Sequence, residues 1–285
     1  MTYVVITILI LLASYLVPRL GLYIDEHMTR LIFHPPSGVH KPEYNREHMI
    51  TLPTPSGQNL FMLLLHPKDP PRHGRFIVFS YGTGDCVDSL LAYAQQMSDA
   101  LHAVVVLYDY VGYGRSQGKP SEKGCYESLD TVMRTLIPLL LSSHPPLLVG
   151  HSLGTGVVVE YATRNHWTAP IVLLSPYKSM IRIGLERPHV RAVVPQVLLS
   201  MIAWCLSPID KFNSYARMGR LRTPVKIYHG MADTLIDASH SRDLYEVALN
   251  KGSSPAPTYF PLLGHDFIRE RVSFQDWEVL FIGGI

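Results

Sequence analysis

The chain has 285 residues, 47% of them hydrophobic and 17% charged, which suits an ordered globular protein with a substantial core and excludes a disordered one. A net charge of +2 with no run of three basic residues leaves no footprint for nucleic acid. Three scattered cysteines (Cys86, Cys125, Cys205) make no disulfide framework and fourteen histidines form no ligand motif, so neither metal nor other cofactor is expected.

Residues 1–18 carry no charged side chain, and residues 3–17 are nearly all Val, Ile, Leu, Ala and Tyr. A run of that length approaches what a bilayer crossing needs. A cleaved leader, the alternative, would have a basic start and a small-residue cleavage site, and neither is present. Residues 1–20 are therefore read as a membrane anchor (or signal-like segment). Arg19 and Arg30 follow the uncharged run and no basic residue precedes it, which orients the main domain, residues 31–285, to the cytoplasm.

Residues 50–52 and 60–66 read as two strands joined through Pro53, Pro55, Ser56 and Gly57. Strands at 75–80, 103–108, 147–150, 170–174, 225–229 and 258–262 then alternate with helices at 89–101, 121–141, 153–164, 239–249 and 268–281. Short continuous apolar runs such as 75–80 suit strands covered on both faces. The alternation implies an α/β fold, a mostly parallel central sheet with helices on both sides. Residues 177–222 interrupt it and are too long for a plain connection, so a helical lid is expected there. Within it, residues 190–206 are apolar nearly all round and should bury themselves. Val194, Leu198, Met201, Ile202 and Trp204 are candidates to wall an acyl pocket or touch a bilayer, and the plainer reading is a helix packed on the core.

Gly150-His151-Ser152-Leu153-Gly154 lies where a strand gives way to a helix and fits the Gly-x-Ser-x-Gly elbow. The glycines allow a tight turn that exposes the serine hydroxyl, and the helix behind it aims N–H groups at the same point. A nucleophilic serine needs a base, and the base needs an acid to hold its tautomer. In the order Ser, Asp, His, each after a later strand, these are Asp233 and His265. Asp237 lies farther from its strand and reads as a helix cap, Asp266 adjoins the histidine too closely to orient it, and His151 should point away from the nucleophile. The backbone N–H groups of Leu153 and of Thr83, in the glycine-rich loop after the third strand, should form an oxyanion hole.

Together these residues resemble the α/β-hydrolase-domain-containing serine hydrolases, and most closely the protein depalmitoylases of subfamily seventeen. The resemblance runs through Leu31-Ile32-Phe33-His34-Pro35-Pro36, Tyr108-Asp109-Tyr110-Val111-Gly112-Tyr113-Gly114-Arg115-Ser116 and Gly118-Lys119-Pro120-Ser121-Glu122. It continues through the elbow, His229-Gly230-Met231-Ala232-Asp233-Thr234-Leu235-Ile236-Asp237, Ser239-His240 and Gly264-His265. It implies the α/β-hydrolase fold, with Ser152, Asp233 and His265 as nucleophile, acid and base. The chain departs from that pattern in three places. Tyr81-Gly82-Thr83 stands where the family has His-Gly-Asn, no cysteine precedes Cys86, and the lid is longer and more apolar.

The expected chemistry is cleavage of an acyl ester or thioester through an acyl-enzyme on Ser152, the substrate being an acylated protein or lipid at a membrane. A serine peptidase of the same fold, and a hydrolase-fold binding protein without turnover, are the alternatives.

Overall fold

The computed structural model describes residues 26–37, 48–71, 74–139, 145–248 and 251–281. The expected anchor, residues 1–20, lies outside them. Among the described residues no helix is long and apolar enough to cross a membrane.

A short helix α1 (residues 26–32) is followed by a hairpin, β1 (Met49–Pro53) and β2 (Asn59–Leu65). Then come β3 (Phe76–Ser80), α2 (Val87–Leu101), β4 (Val104–Tyr108), α3 (Glu122–Leu136), β5 (Leu147–His151), α4 (Leu153–Arg164) and β6 (Ile171–Leu174). An insertion carries α5 (Met180–Leu185), α6 (Pro188–Arg191), α7 (Gln196–Cys205) and α8 (Ser214–Met218). The chain closes with β7 (Val225–Gly230), α9 (Ser239–Val247), β8 (Thr258–Phe260), α10 (Ile268–Arg271) and α11 (Gln275–Phe281).

The eight strands form one sheet in the order β1-β2-β4-β3-β5-β6-β7-β8. The two pairings that involve β2 are antiparallel and the other five are parallel. Every residue of β4, β5 and β6 is buried, as a strand covered on both faces requires. The covering helices fall into two packed groups, α2 with α11, and α3, α4, α8 and α9 in succession. The strand order reverses at β3 and β5, since β4 lies on one side of β3 and β5 on the other. Loops leaving the carboxyl ends of two such strands diverge and leave a crevice, which is where open α/β sheets hold their ligands. Thr83 follows β3 and Ser152 follows β5.

Several boundaries differ from the sequence reading, for local reasons. The helix expected over 121–141 ends at Leu136 in a tight turn, Ile137–Leu139, because Pro138 has no N–H to continue the ladder. The strand expected to reach residue 262 stops at Phe260, ahead of Pro261, and the one expected to reach His66 stops at Leu65, ahead of Pro67. The closing helix over 268–281 is two helices, α10 and α11, parted by extended backbone at Val272. The helix expected from residue 89 starts at Val87, with the Ser89 hydroxyl accepting the Cys86 N–H at 3.0 Å.

The largest correction concerns the insertion. The expectation that residues 190–206 bury themselves does not hold. In α7 only Leu199 and Ala203 are buried, whereas Leu198, Met201 and Trp204 are exposed and Val194 and Ile202 partly so. A helix that is apolar all round needs covering surface all round, and among the described residues α7 packs mainly on α5.

Candidate active site

The elbow is built by backbone close approach. Ser152 sits between β5 and α4 with φ 48° and ψ −118°, a conformation few non-glycine residues hold. Its N–H donates to the Leu174 carbonyl at 3.0 Å, and its own carbonyl accepts the Thr155 N–H at 2.9 Å and hydroxyl at 2.7 Å. The flanking glycines are there for space. A Cβ at Gly150 would come within 2.7 Å of the Gly154 carbonyl oxygen, and one at Gly154 would run into the Ser80 carbonyl.

Asp233 leaves the end of β7 and turns back on itself. Its Oδ1 accepts the N–H groups of Leu235 at 2.9 Å and Ile236 at 2.8 Å, which aims Oδ2 at His265 Nδ1, 2.6 Å away. His265 Nε2 lies 2.9 Å from Ser152 Oγ. A carboxylate only accepts, so Nδ1 carries the proton and Nε2 presents its lone pair to the serine hydroxyl. Burial pushes the Asp233 carboxyl up, but hydrogen bonds from His229, His265 and the Ile236 N–H outweigh it. The net effect holds Asp233 far below the usual carboxylate range, so it remains an anion.

His229 is a neighbour to which the sequence reading gave no role. Its Nε2 lies 2.9 Å from the Ile236 carbonyl and 3.3 Å from Asp233 Oδ2, and its Nδ1 lies 2.5 Å from Ser241 Oγ on α9. The Nε2–H therefore donates toward Ile236 and Asp233, while Nδ1 accepts the Ser241 hydroxyl proton. This fully buried imidazole fixes the acid loop from behind. It stands in the motif His229–Asp237, so its presence was readable but its partner on α9 was not.

The competing residues lie elsewhere. Asp237 Oδ1 accepts the Ser239 N–H at 2.9 Å at the start of α9, as a cap does, and Asp266 is exposed. His151, expected to point away from the nucleophile, sits close behind the relay. It is buried with its ring centroid 5.6 Å from that of His265. Among the described residues neither of its nitrogens has a hydrogen-bond partner, and burial, then the charge of Arg269, pushes its pKa well below the ordinary imidazole value. A neutral ring is the form such a site tolerates.

Thr83 and Leu153 both border the cavity that holds Ser152. The Thr83 hydroxyl donates to the Ile32 carbonyl at 2.5 Å and accepts the His34 N–H at 3.1 Å, tying this loop to the start of the described chain. Asp109, buried at the end of β4, holds the loop from below. It accepts the Tyr81 hydroxyl at 2.9 Å, the Val87 N–H at 2.8 Å and the Arg115 N–H at 2.8 Å. The long motif around Asp109 is thus a buttress for the Thr83 loop.

The cavity has a volume of about 530 Å³ and opens over Ser152. Met28, Leu31 and Ile32 form one wall, Met180, Ile181, Ile183 and Leu185 of α5 with Leu206 another, and Leu235 and Ile236 of the acid loop a third. His34 and Arg187 are its polar members besides the serine, threonine and tyrosine. Val194, Leu198, Met201, Ile202 and Trp204, expected to wall an acyl pocket, do not border it. The short helix α5 takes that place because a buried charge cluster clamps it inward. Lys178 pairs with Glu186, both buried, and Lys178 Nζ reaches Asp243 Oδ2 on α9 at 2.6 Å. Arg182 and Arg191 also bind Glu186, at 2.9 and 3.1 Å, and the Lys178 N–H donates to His240 Nδ1 at 3.1 Å.

Comparison with known proteins agrees with this architecture. A family model described as "Alpha/beta hydrolase family" matches residues 62–283. A protein of Acanthamoeba polyphaga mimivirus described as an alpha/beta hydrolase is 34% identical over 233 residues, covering 81% of this chain and 82% of its own length. The mouse alpha/beta hydrolase domain-containing protein 17C is 30% identical over 171 residues, 60% of this chain but 48% of that protein. The chain thus spans about half the length of that relative. Among solved structures, an esterase of Pyrococcus furiosus superposes with a TM-score of 0.61 at 16% identity, covering 86% of this chain and 94% of its own. The ferulic-acid-bound Est1E of Butyrivibrio proteoclasticus gives 0.62 at 15% identity, over 82% and 99%. Those two likenesses speak to the fold, which is the α/β-hydrolase fold. With the family model covering nearly every strand and the mimivirus relative matched over most of its length, the chain belongs to the alpha/beta hydrolase family.

Proposed function

We propose that the protein is a serine hydrolase that cleaves acyl esters or thioesters through an acyl-enzyme. The observation that carries this reading is the unbroken relay from Asp233 Oδ2 through His265 to Ser152 Oγ, opening into an apolar cavity. His265 Nε2 takes the proton as Ser152 Oγ attacks the carbonyl carbon, and Asp233 stabilises the imidazolium that forms. The N–H groups of Leu153 and Thr83 receive the negative charge that develops on the carbonyl oxygen. His265 returns the proton to the leaving alcohol or thiol, then activates the water that releases the acyl group.

The substrate in this reading is an acylated protein or a lipid, its acyl chain lying along α5 and α1. The likeness to protein 17C and to the depalmitoylase motifs supports that class, as does the apolar lining. The uncharged run at residues 1–18 supports attachment to a membrane, with the domain on its cytoplasmic side. A fluorophosphonate probe tests the chemistry, and a substrate panel tests the class. Ser152 should be labelled, and turnover should favour long-chain acyl esters and thioesters over peptides. Equal labelling of the Ser152→Ala protein removes the nucleophile. Preference for peptides replaces this reading with a peptidase, and labelling without turnover of any substrate with a binding protein.

A further inference from the structure

The α7 face that lacks a covering neighbour has a definite pattern. Val197, Met201 and Trp204 are 73%, 59% and 78% exposed, and spacings of four and three residues set them in one stripe. Residues 192–209 contain no charged side chain at all. The opposite side of the helix, Leu199 and Ala203, is buried, and α7 packs on α5, the helix that walls the Ser152 cavity. Leu206, at the end of α7 and on its buried side, borders the cavity itself, so the helix that carries the stripe ends beside the site.

A second observation comes from the other end of the chain. Residues 1–18 are uncharged, and α1, which supplies cavity-wall residues, begins at residue 26. The eight residues from 18 to 26 span at most about 30 Å even when fully extended. A bilayer that holds residues 1–18 is therefore within that reach of the same cavity mouth. Arg187, exposed on the cavity rim, adds a cation of the kind that lipid phosphates attract.

We infer that the α7 stripe docks on a phospholipid bilayer, seating in the interfacial region so that an acyl chain passes from the leaflet into the Ser152 cavity. A bilayer suits the stripe because it offers apolar surface without hydrogen-bonding demands, and because an exposed tryptophan beside serine and glutamine side chains is at home at headgroup depth. The delivery half of this inference rests on the acyl-hydrolase reading, whereas the docking half does not.

The test uses the full chain with vesicles of phosphatidylcholine and phosphatidylserine, part of the phosphatidylcholine brominated on its acyl chains. The protein has three tryptophans, Trp167, Trp204 and Trp277, and none lies in residues 1–25, so quenching reads the domain and not the N-terminal run. Trp277 is fully buried. Quenching in the wild type that is lost in Trp204→Phe supports docking. Met201→Glu should lower hydrolysis of a vesicle-borne long-chain ester about tenfold and keep water-soluble p-nitrophenyl butyrate within about twofold. Ile137→Glu, on an exposed apolar residue outside the stripe, should change neither. Quenching that is the same in wild type and Trp204→Phe, or equal loss on both esters in Met201→Glu, overturns the inference. An unquenched Trp204 means that something else covers the stripe. Dimers that Met201→Glu dissociates identify a second copy, and monomers with blue-shifted Trp204 emission identify the N-terminal segment; either overturns docking. Quenching without turnover of either ester leaves docking standing and removes the hydrolase reading instead.

Discussion

Helices α4 and α7 are both rich in apolar residues, yet the fold treats them in opposite ways. In α4, nine residues from Leu153 to Ala162 are buried, although the helix carries Glu160 and Arg164. In α7, which has no charged residue, two are buried. The difference lies in what surrounds each helix. The α4 helix is packed against β3, β5, β6, α3 and α8, whereas among the described residues α7 rests mainly on α5 and its own C-terminal turn. Apolar composition sets how much a helix gains from burial, and the number of facing elements sets whether that gain is realised. Function follows the same division. The rigid, enclosed helix starts at the nucleophile, and the exposed one lies at the edge of the cavity.

The sharpest way to break this contrast is at the α4 end. Ser152→Ala should reduce kcat on the order of 10⁴-fold or more with the fold intact, and Asp233→Asn should approach the same loss. Asp237→Asn keeps an oxygen that can accept the Ser239 N–H, loses only the charge 3.8 Å from Arg191, and should stay within about tenfold. Steady-state kinetics with circular dichroism as a fold check measures all three, and an inverted order between the two aspartates would move the acid role to Asp237.

A smaller effect should separate α5 from α7. If α5 lines the acyl path, each methylene of acyl chain gains up to about 0.8 kcal/mol, about fourfold in kcat/KM, until the cavity fills. Ile183→Ser should flatten that chain-length profile, whereas Leu198→Ser with a soluble ester series should not. Flattening by the α7 variant instead would return Leu198 to the pocket wall.

His229→Ala should lower kcat about tenfold with KM little changed, because it loosens Asp233 without touching the cavity. In stability terms, Val158→Ala in α4 should cost about 1–3 kcal/mol, and Met201→Ala in α7 less than about 0.5. Denaturant melts read both, and equal losses would mean that α7 is core after all.

The gentlest probe is pH. His240, which accepts the Lys178 N–H at the base of the insertion, is pushed down from 6.5 to about 3 by burial, then by the charge of Lys178. The unfolded chain binds that proton first. The contribution to stability is therefore complete above about 6.5 and is lost as pH falls toward 3. His151, also held well below its ordinary value, acts in the same sense. Thermal midpoints should fall across that window, and His240→Gln should make the fall shallower. An unchanged slope would detach His240 from the acid response.

The relay was legible in the sequence because each member is placed by a local rule. The Gly150–Gly154 pattern demands a strand-to-helix elbow, and Asp233 and His265 each follow a run that reads as a strand. Parallel strands bring their carboxyl ends to one edge, so chain order alone assembles the three residues. The cavity obeyed no such rule. Its walls come from α1, α5 and the acid loop, segments far apart in the chain whose meeting depends on the Lys178–Glu186 cluster and its partners on α9. A helix of six residues such as α5 is too short for periodicity to reveal. The stronger apolar signal of residues 190–206 drew the pocket assignment away from it. Amino-acid order determined the strands, the elbow and the three reacting side chains, because those rest on hydrogen bonding and sterics within a few residues. Only the tertiary structure decided which apolar residues enclose the substrate and which face outward, because burial depends on what the rest of the chain places alongside.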